Sequence, residues 1–158
     1  MNLKNLSLPE LRAALGPSGA SPAATLKVFA AVFARNARSV EEVGWAPQVP
    51  RAVREVLLER ATLPRLSVVE RRRAADGFVK YLFESPLGGR VEAVRIPIFD
   101  AKYVVCVSSQ VGCALACDFC MTGKMGFKRN LKTWEILGQV ATADLLEAKV
   151  RAMRGDAA

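Results

Sequence analysis

Apolar residues in positions 1–62 recur every three or four residues, which is the period of an amphipathic helix. Ser7 to Glu10 has the Ser-x-x-Glu form of a capping box, and Gly16 is placed to end the short helix behind it. Ser21 and Pro22 are a second typical helix start. The helix that follows has one apolar face, made of Leu26, Phe29, Ala30 and Phe33. These positions are therefore predicted to form a small helical bundle.

From Leu63 onward the chain becomes rich in β-branched and aromatic residues, which are typical of strands. A turn at 85–90, with proline and paired glycines, indicates that the strands on either side of it are antiparallel. In chain order the pattern predicts strands at 78–83, 91–99 and 103–108, a loop at 110–130 and a helix at 133–154. The apolar face predicted for this last helix consists of Leu137, Val140, Ala141, Leu145 and Ala148.

Composition narrows the class of protein. Half of the 158 residues are hydrophobic, which argues against a disordered chain. The net charge of +8 favours a polyanionic partner, with RNA or DNA ahead of an anionic membrane. The chain has no run of about 18 apolar residues and begins without an apolar leader, so we expect a cytoplasmic protein without a membrane segment.

The cysteines are the strongest chemical signal. All four lie in one short stretch of a chain that has no histidine: Cys113, Cys117 and Cys120 with C-x3-C-x2-C spacing, and Cys106 seven residues before them. In the cytoplasm, clustered cysteines are more often ligands or catalysts than structural disulfides.

Two metal sites are compatible with these thiols. Three of them can hold a [4Fe–4S] cluster with one iron open, or all four can hold a structural zinc ion. Zinc sites usually use two Cys-x2-Cys pairs, and only Cys117 and Cys120 have that spacing, which favours the cluster. An open iron on a loop after a strand suggests cleavage of S-adenosylmethionine to a radical.

The sequence around the cysteines then identifies a family. The segment from Cys106 to Leu131 reads CVSSQVGCALACDFCMTGKMGFKRNL, and it resembles the RlmN/Cfr family of radical-SAM RNA methyltransferases. Glu135–Val140 and Val91–Pro97 extend the resemblance. More loosely, the helical module resembles the family's accessory RNA-binding domain.

The resemblance implies an α/β fold in three segments. Residues 1–62 would be the helical accessory domain, 63–98 a β connecting segment, and 99–158 the first strand-loop-helix unit of a truncated partial (β/α)6 barrel. It also implies that Cys113, Cys117 and Cys120 bind the [4Fe–4S] cluster, and that Phe119 helps to bind S-adenosylmethionine.

The implied reaction is methylation of C2 of an adenosine in 23S rRNA, and also in tRNA, with an electron donor such as flavodoxin. A related branch methylates C8 of the same base, and we favour C2. Because C2 of adenine is not nucleophilic, polar methyl transfer cannot reach it and a radical route can. By resemblance, Glu92 is the catalytic acid or base, and Cys106 resolves the adduct between protein and RNA through a transient disulfide.

Basic residues near the cysteines favour an RNA substrate. Lys124, Lys128, Arg129 and Lys132 surround the loop and can meet phosphates. The run Arg71 to Arg73 is either a second RNA contact or the solvated face of an edge strand.

The chain also departs from the family. It has no Gly-Met-Gly-Glu-Pro-like segment for S-adenosylmethionine and no distal cysteine to carry the methyl group. From Lys102 to Ala158 it has 57 residues, enough for one strand-helix unit with its cluster loop, whereas a full (β/α)8 barrel takes about 250 residues. We therefore expect this chain alone to be inactive in RNA methylation. The alternatives are a non-catalytic homologue that binds RNA or a cluster, and a four-cysteine zinc module.

Overall fold

The structure, a computed structural model, describes residues 1–99 and 102–154, with the backbone only for 145–154. The chain divides into two compact units, Met1–Pro64 and Arg65–Ala158. The two segments expected at 63–98 and 99–158 thus lie in the second unit, except for residues 63 and 64. None of the described helices is both long enough and apolar enough to cross a membrane.

The first unit consists of short helices. They are α1 (Leu8–Leu15), α2 (Pro22–Phe33), α3 (Val40–Gly44) and α4 (Arg51–Arg60), with 3-10 turns at Leu3–Asn5 and Gly16–Ser18. The backbone N–H of Ser7 donates to the Glu10 carboxylate (2.8 Å), and Ser21 Oγ accepts from the N–H of Ala24 (3.1 Å), as the helix starts predict. Gly16 follows the last residue of α1, and Gly19 reverses the chain at φ +74°.

The apolar face predicted for α2 is wrong in part: Phe29 packs against the core, but Leu26 and Phe33 do not. Leu26 is 52% exposed and Phe33 36%, while a different set faces the core: Ala24, Thr25, Val28, Ala31 and Val32. The helix is apolar almost all round, so its period does not select one stripe. The small residues on the buried side allow closer packing against the other buried residues of the first unit, which include Leu11, Leu15, Val43, Val53 and Leu57.

The second unit joins antiparallel strands to one long helix. Four strands form a sheet in the order β1 (Ser67–Arg73), β2 (Val79–Glu84), β3 (Arg90–Pro97) and β4 (Tyr103–Cys106). The remaining elements are β5 (Gln110–Val111), α5 (Met121–Lys124), β6 (Arg129–Asn130) and α6 (Thr133–Arg154). Every strand pair described in this unit is antiparallel. The described part of the chain is therefore mixed helix and antiparallel strand, and the barrel unit stays a prediction.

Alternation along the strands gives the sheet two faces. One face is buried and carries Val79, Tyr81, Phe83, Val91 and Ala93. These side chains pack in one core with Trp134 and Ala143 of α6. The opposite face carries polar and partly exposed residues, among them Lys80, Leu82 and Glu92. Cys106 lies on this outer face, because it pairs with Val94, two residues after Glu92.

The apolar face predicted for α6 is also wrong. Leu137 is 42% exposed and Val140 36%, whereas Glu135 and Gln139 are fully buried. The side chains of Leu145 and Ala148 lie outside the described residues. Because the buried side of α6 includes the polar residues Glu135 and Gln139, the spacing of apolar residues does not predict which side is buried.

Two adjacent glycines in the turn between β2 and β3 allow a matched test of packing. Gly88 and Gly89 both have φ in the left-handed region, at +84° and +96°. A Cβ on Gly89 would lie 2.6 Å from Cγ1 of Val111, whereas one on Gly88 would meet nothing within 4 Å. Both substitutions strain the backbone, by roughly 1–2 kcal/mol, and only Gly89→Ala also overpacks the contact with β5.

We expect Gly89→Ala to lower the free energy of unfolding by about 1–3 kcal/mol more than Gly88→Ala does, measured by urea denaturation. Adding Val111→Ala should recover much of that difference in a double-mutant cycle. Equal losses for the two single variants would contradict the contact.

Candidate functional site

The cysteine loop is the tip of a small β-hairpin. Its stem pairs Gln110 with Asn130 and Val111 with Arg129. Two further backbone bonds extend the stem: Lys128 N–H to Val111 O (3.0 Å) and Leu131 N–H to Ser109 O (2.8 Å). The three closely spaced cysteines all lie between the two strands, so the loop leaves the protein and returns to it at one place.

Two glycines close the neck of this loop. Gly112 has φ +74°, and a Cβ built on it would lie 1.8 Å from the carbonyl oxygen of Gly126. Gly126 has φ +68°. No other amino acid fits at Gly112, since any side chain would occupy the position of the opposite backbone. The two arms of the loop therefore touch directly above the stem.

Within the loop, α5 packs on the backbone of the second cysteine. A Cβ on Gly123 would lie 2.9 Å from the nitrogen of Cys117, and Cys120 N–H donates to Cys117 O (3.1 Å). The backbone N–H groups of Gly123 and Thr122 donate to the Cys120 thiol and hold its pKa below the ordinary value of 9.0. A lowered pKa favours the thiolate, which is the form that binds metals.

All four cysteines are free thiols. Cys113, Cys117 and Cys120 are half-buried in the loop, and Cys106 is exposed on the sheet. Among the side chains that the structure describes, those of residues 1–99 and 102–144, no three Cys, Asp or Glu lie close enough together to hold a metal ion. The loop thus supplies thiol donors of the type that an iron–sulfur cluster or zinc requires, without gathering them around one centre.

Phe119, which the sequence suggests as a cofactor contact, lies on the surface of the loop. It is 92% exposed, so it takes no part in the core. Leu115 (80%) and Met121 (75%) are exposed beside it in the sequence. The loop thus presents apolar side chains to solvent next to its thiols.

Glu92 and Cys106, the two predicted catalytic residues, line one cavity. It has a volume of about 490 Å³ and lies between the outer face of the sheet and the cysteine loop. The loop contributes Gly112, Met121, Thr122 and Met125 to its wall. Ser108 Oγ donates to the Glu92 carbonyl oxygen (2.7 Å), which joins the chain after β4 to β3. The structure therefore brings the predicted catalytic pair to the side of the predicted cluster loop.

Glu92 has a partner that the sequence did not reveal. Lys80 Nζ lies 2.8 Å from Glu92 Oε1, and both side chains are half exposed. Lys80 is on β2, opposite Val94, and so lies diagonally across from Glu92. A pair this exposed contributes little to stability, but it places a positive charge beside the Glu92 carboxylate. The register of the predicted hairpin is the signal that would have found it.

A buried carboxylate anchors the hairpin stem. Glu135 is fully buried. Its two carboxylate oxygens accept hydrogen bonds from the two terminal nitrogens of the Arg129 guanidinium, at 2.8 and 2.9 Å. It also accepts from Ser85 Oγ and from the N–H of Lys132 (2.7 Å), the latter as in one half of a capping box. Arg129 donates in turn to Gly88 O (2.7 Å). The Glu135 carboxylate thus connects three elements: the turn between β2 and β3, strand β6 and the start of α6.

Arg129 is therefore committed to Glu135, and the expectation that it meets RNA phosphates is corrected.

One turn further along α6, Gln139 forms two hydrogen bonds with the backbone of Ser108. Its Nε2 donates to Ser108 O (2.9 Å), and its Oε1 accepts from Ser108 N–H (2.9 Å). The sequence flagged Glu135 and Gln139 only as part of a resembling motif and did not reveal these contacts.

Comparisons with known proteins show which proteins this chain is similar to. No protein-family model matches the chain. It is 74% identical over 140 residues to a probable RNA methyltransferase of Myxococcus xanthus, a match covering 89% of this chain and 39% of that one. It is 40% identical over 143 residues to a dual-specificity RNA methyltransferase RlmN of Anaeromyxobacter dehalogenans, covering 90% and 37%.

A solved structure agrees. The crystal structure of a radical SAM methyltransferase from Sphaerobacter thermophilus matches with a TM-score of 0.78 and 32% identity, covering 95% of this chain and 43% of that one. The chain belongs to the RlmN/Cfr family of radical-SAM RNA methyltransferases. It spans about two fifths of the length of these two curated relatives. The resemblance recognised in the sequence is confirmed.

The Glu135 network predicts a large mutational effect. Glu135→Gln leaves Arg129 without its charged partner. Because Arg129 is itself 27% exposed, water replaces part of the lost contact, and we expect a loss of about 2–3 kcal/mol. Glu84→Gln is the matched control, because Glu84 pairs with Arg90 at 3.0 Å on the surface. We expect its effect to be below about 1 kcal/mol. Urea denaturation at neutral pH measures both, and similar losses would contradict the anchoring role.

The same network predicts how stability depends on pH. Burial alone raises the pKa of Glu135, but hydrogen bonds from Arg129, Ser85 and the Lys132 N–H outweigh it and lower the pKa to about 2. The carboxylate therefore contributes stability that is fully present above the ordinary value of 4.5 and is lost as the pH falls towards 2. Unfolding free energies measured across this range should fall more steeply for the native chain than for Glu135→Gln. Parallel curves would contradict the lowered pKa.

Proposed function

We propose that this chain carries the cluster-binding part of a radical-SAM RNA methyltransferase, with Cys113, Cys117 and Cys120 as the protein ligands of a [4Fe–4S] cluster. The observation that carries the proposal is the hairpin loop of three free thiols beside a cavity lined by Glu92 and Cys106. When bound, the cluster supplies the electron that cleaves S-adenosylmethionine to a radical. The reductant would be a donor such as flavodoxin.

Binding requires the three thiols to turn towards a common centre. The loop suits this, because its arms are held at the neck and stem while its thiols are free and half-buried. Backbone N–H groups lower the pKa of Cys120, which favours the thiolate that binds a metal. The exposed Phe119 borders the loop and is proposed as a contact of S-adenosylmethionine.

We assign the proposed substrate as an adenosine of 23S rRNA, and also of tRNA, methylated at C2. Family membership and the net charge of +8 support an RNA substrate. Glu92, paired with Lys80, would move the proton of the reacting base. The Cys106 thiol would resolve an adduct formed on the family's methyl-carrying cysteine, joining that sulfur in a disulfide as the bond between the sulfur and the RNA methyl carbon breaks. Both side chains reach the cavity from the same face of the sheet. The methyl-carrying cysteine of the family has no counterpart among the four cysteines here.

The position of Cys106 weighs against the zinc alternative. Cys106 pairs with Val94 within the four-stranded sheet, whereas the other three cysteines lie in the loop of a separate hairpin. A four-thiolate zinc site would therefore need the loop to bring its three thiols down onto the outer face of the sheet, where Cys106 lies.

Anaerobic reconstitution with iron and sulfide tests the proposal. We expect a brown protein with about four irons per chain, and a change in its visible spectrum when S-adenosylmethionine is added. Serine at Cys113, Cys117 or Cys120 should abolish or strongly reduce iron binding.

Cys106→Ser is the matched control and should keep the cluster, because Cys106 lies on the sheet. A colourless protein that holds zinc, and loses it in all four serine variants equally, would establish the zinc module instead.

A further inference from the structure

The first unit holds an exposed tryptophan in a fixed position. Trp45 follows α3 and is 68% exposed, whereas Trp134 is 3% exposed in the core of the second unit. An indole kept in solvent leaves a large, flat apolar surface that a partner can cover. The backbone N–H of Trp45 donates to the carbonyl oxygen of Glu41 (2.9 Å). The next residue, Ala46, is buried. The backbone that presents the indole is therefore anchored on both sides.

One face of the indole is occupied by a cation. The guanidinium carbon of Arg54, on α4, lies 3.9 Å from the ring centroid of Trp45. Arg54 Nε donates to Gly44 O (3.0 Å), which fixes the guanidinium above the ring. A Cβ on Gly44 would lie 3.0 Å from Cγ of Arg54, so glycine allows this close approach. These contacts hold α4 against the end of α3 and keep the cation beside an indole that is still 68% exposed.

We propose that Trp45, backed by Arg54, is a stacking platform for an unpaired base of the RNA substrate. A flat aromatic face accepts any nucleobase, and a guanidinium behind it adds positive charge that attracts the phosphates. The net charge of the chain, +8, matches a polyanion rather than a basic or neutral protein partner. The inference rests on the proposed action on RNA and adds a recognition site remote in sequence from the cysteine loop.

Intrinsic fluorescence offers a direct readout, because the two tryptophans differ in exposure. Titrating the 158-residue chain with a single-stranded oligoadenylate of about ten nucleotides should quench the emission of Trp45. In Trp45→Phe only the buried Trp134 remains, and we expect quenching to be lost while binding weakens by only a few-fold. An RNA duplex of equal length, with its bases stacked internally, should quench much less.

Affinity measurements on further variants separate stacking from charge and bulk. Trp45→Leu keeps an apolar side chain without a ring, and we expect it to weaken binding of the oligonucleotide by about 10-fold or more. Arg54→Gln should weaken binding more than its matched control, Arg51→Gln. Each removes one positive charge, but Arg51 is an exposed residue that pairs with Glu55 and does not contact the indole. Circular dichroism and thermal melting establish that each variant is folded.

The outcomes distinguish this inference from the proposed function. If the chain binds the oligonucleotide without quenching, and Trp45→Leu binds as tightly as the native chain, the platform is wrong while RNA binding stands. If the native chain binds no RNA although it takes up iron and sulfide, both the platform and the RNA substrate are wrong, and the cluster assignment alone survives. Equal binding to single strands and duplex would also overturn a platform for unpaired bases.

Discussion

The buried carboxylate of Glu135 determines where the cysteine loop is held. A charge removed from water is tolerated only when hydrogen bonds and an opposite charge replace its hydration. The required donors come from three separate elements: Arg129 on β6, Ser85 in the turn before β3, and the backbone of Lys132 before α6. Satisfying one residue therefore fixes the hairpin stem against both the sheet and the helix. The loop with the candidate ligands therefore starts and ends at a stem anchored by that contact.

The outer face of the sheet depends on a second, simpler constraint. Because side chains alternate along a strand, burying Tyr81 and Phe83 against the core turns Lys80 and Leu82 outward. The antiparallel register then sets Glu92 and Cys106 on that same side, one strand apart. Bringing the two predicted catalytic residues together requires no special loop geometry. It follows from pairing the strands so that the apolar residues are covered.

Local patterns predicted the elements well because local physics determines them. The capping residues at Ser7 and Ser21 and the turn at 85–90 lie where the sequence indicates, and the motif around the cysteines identified the family. Burial was harder to predict. The α2 helix is apolar almost all round, so the spacing of its apolar residues does not predict which side is buried.

The long-range contacts were beyond the sequence for a different reason. The buried side of α6 carries Glu135 and Gln139, whose partners are defined only after the strands are in register. The pairing of Lys80 with Glu92 has the same origin. Arg129 was read as a solvent-facing cation because its sequence neighbours are basic, and only the fold shows the buried acid facing it.

The contact between Gly112 and Gly126 has a consequence for the energetics of the loop. Bringing the ends of a flexible segment together has an entropic cost that rises with the logarithm of its length. Here the folded protein has already joined the ends of residues 113–125, so a ligand that binds the thiols need not supply that free energy. A linear peptide with the same three cysteines would have to close on its ligand unaided. The neck thus transfers part of the cost of binding to the folding of the domain, as preorganised sites do in general.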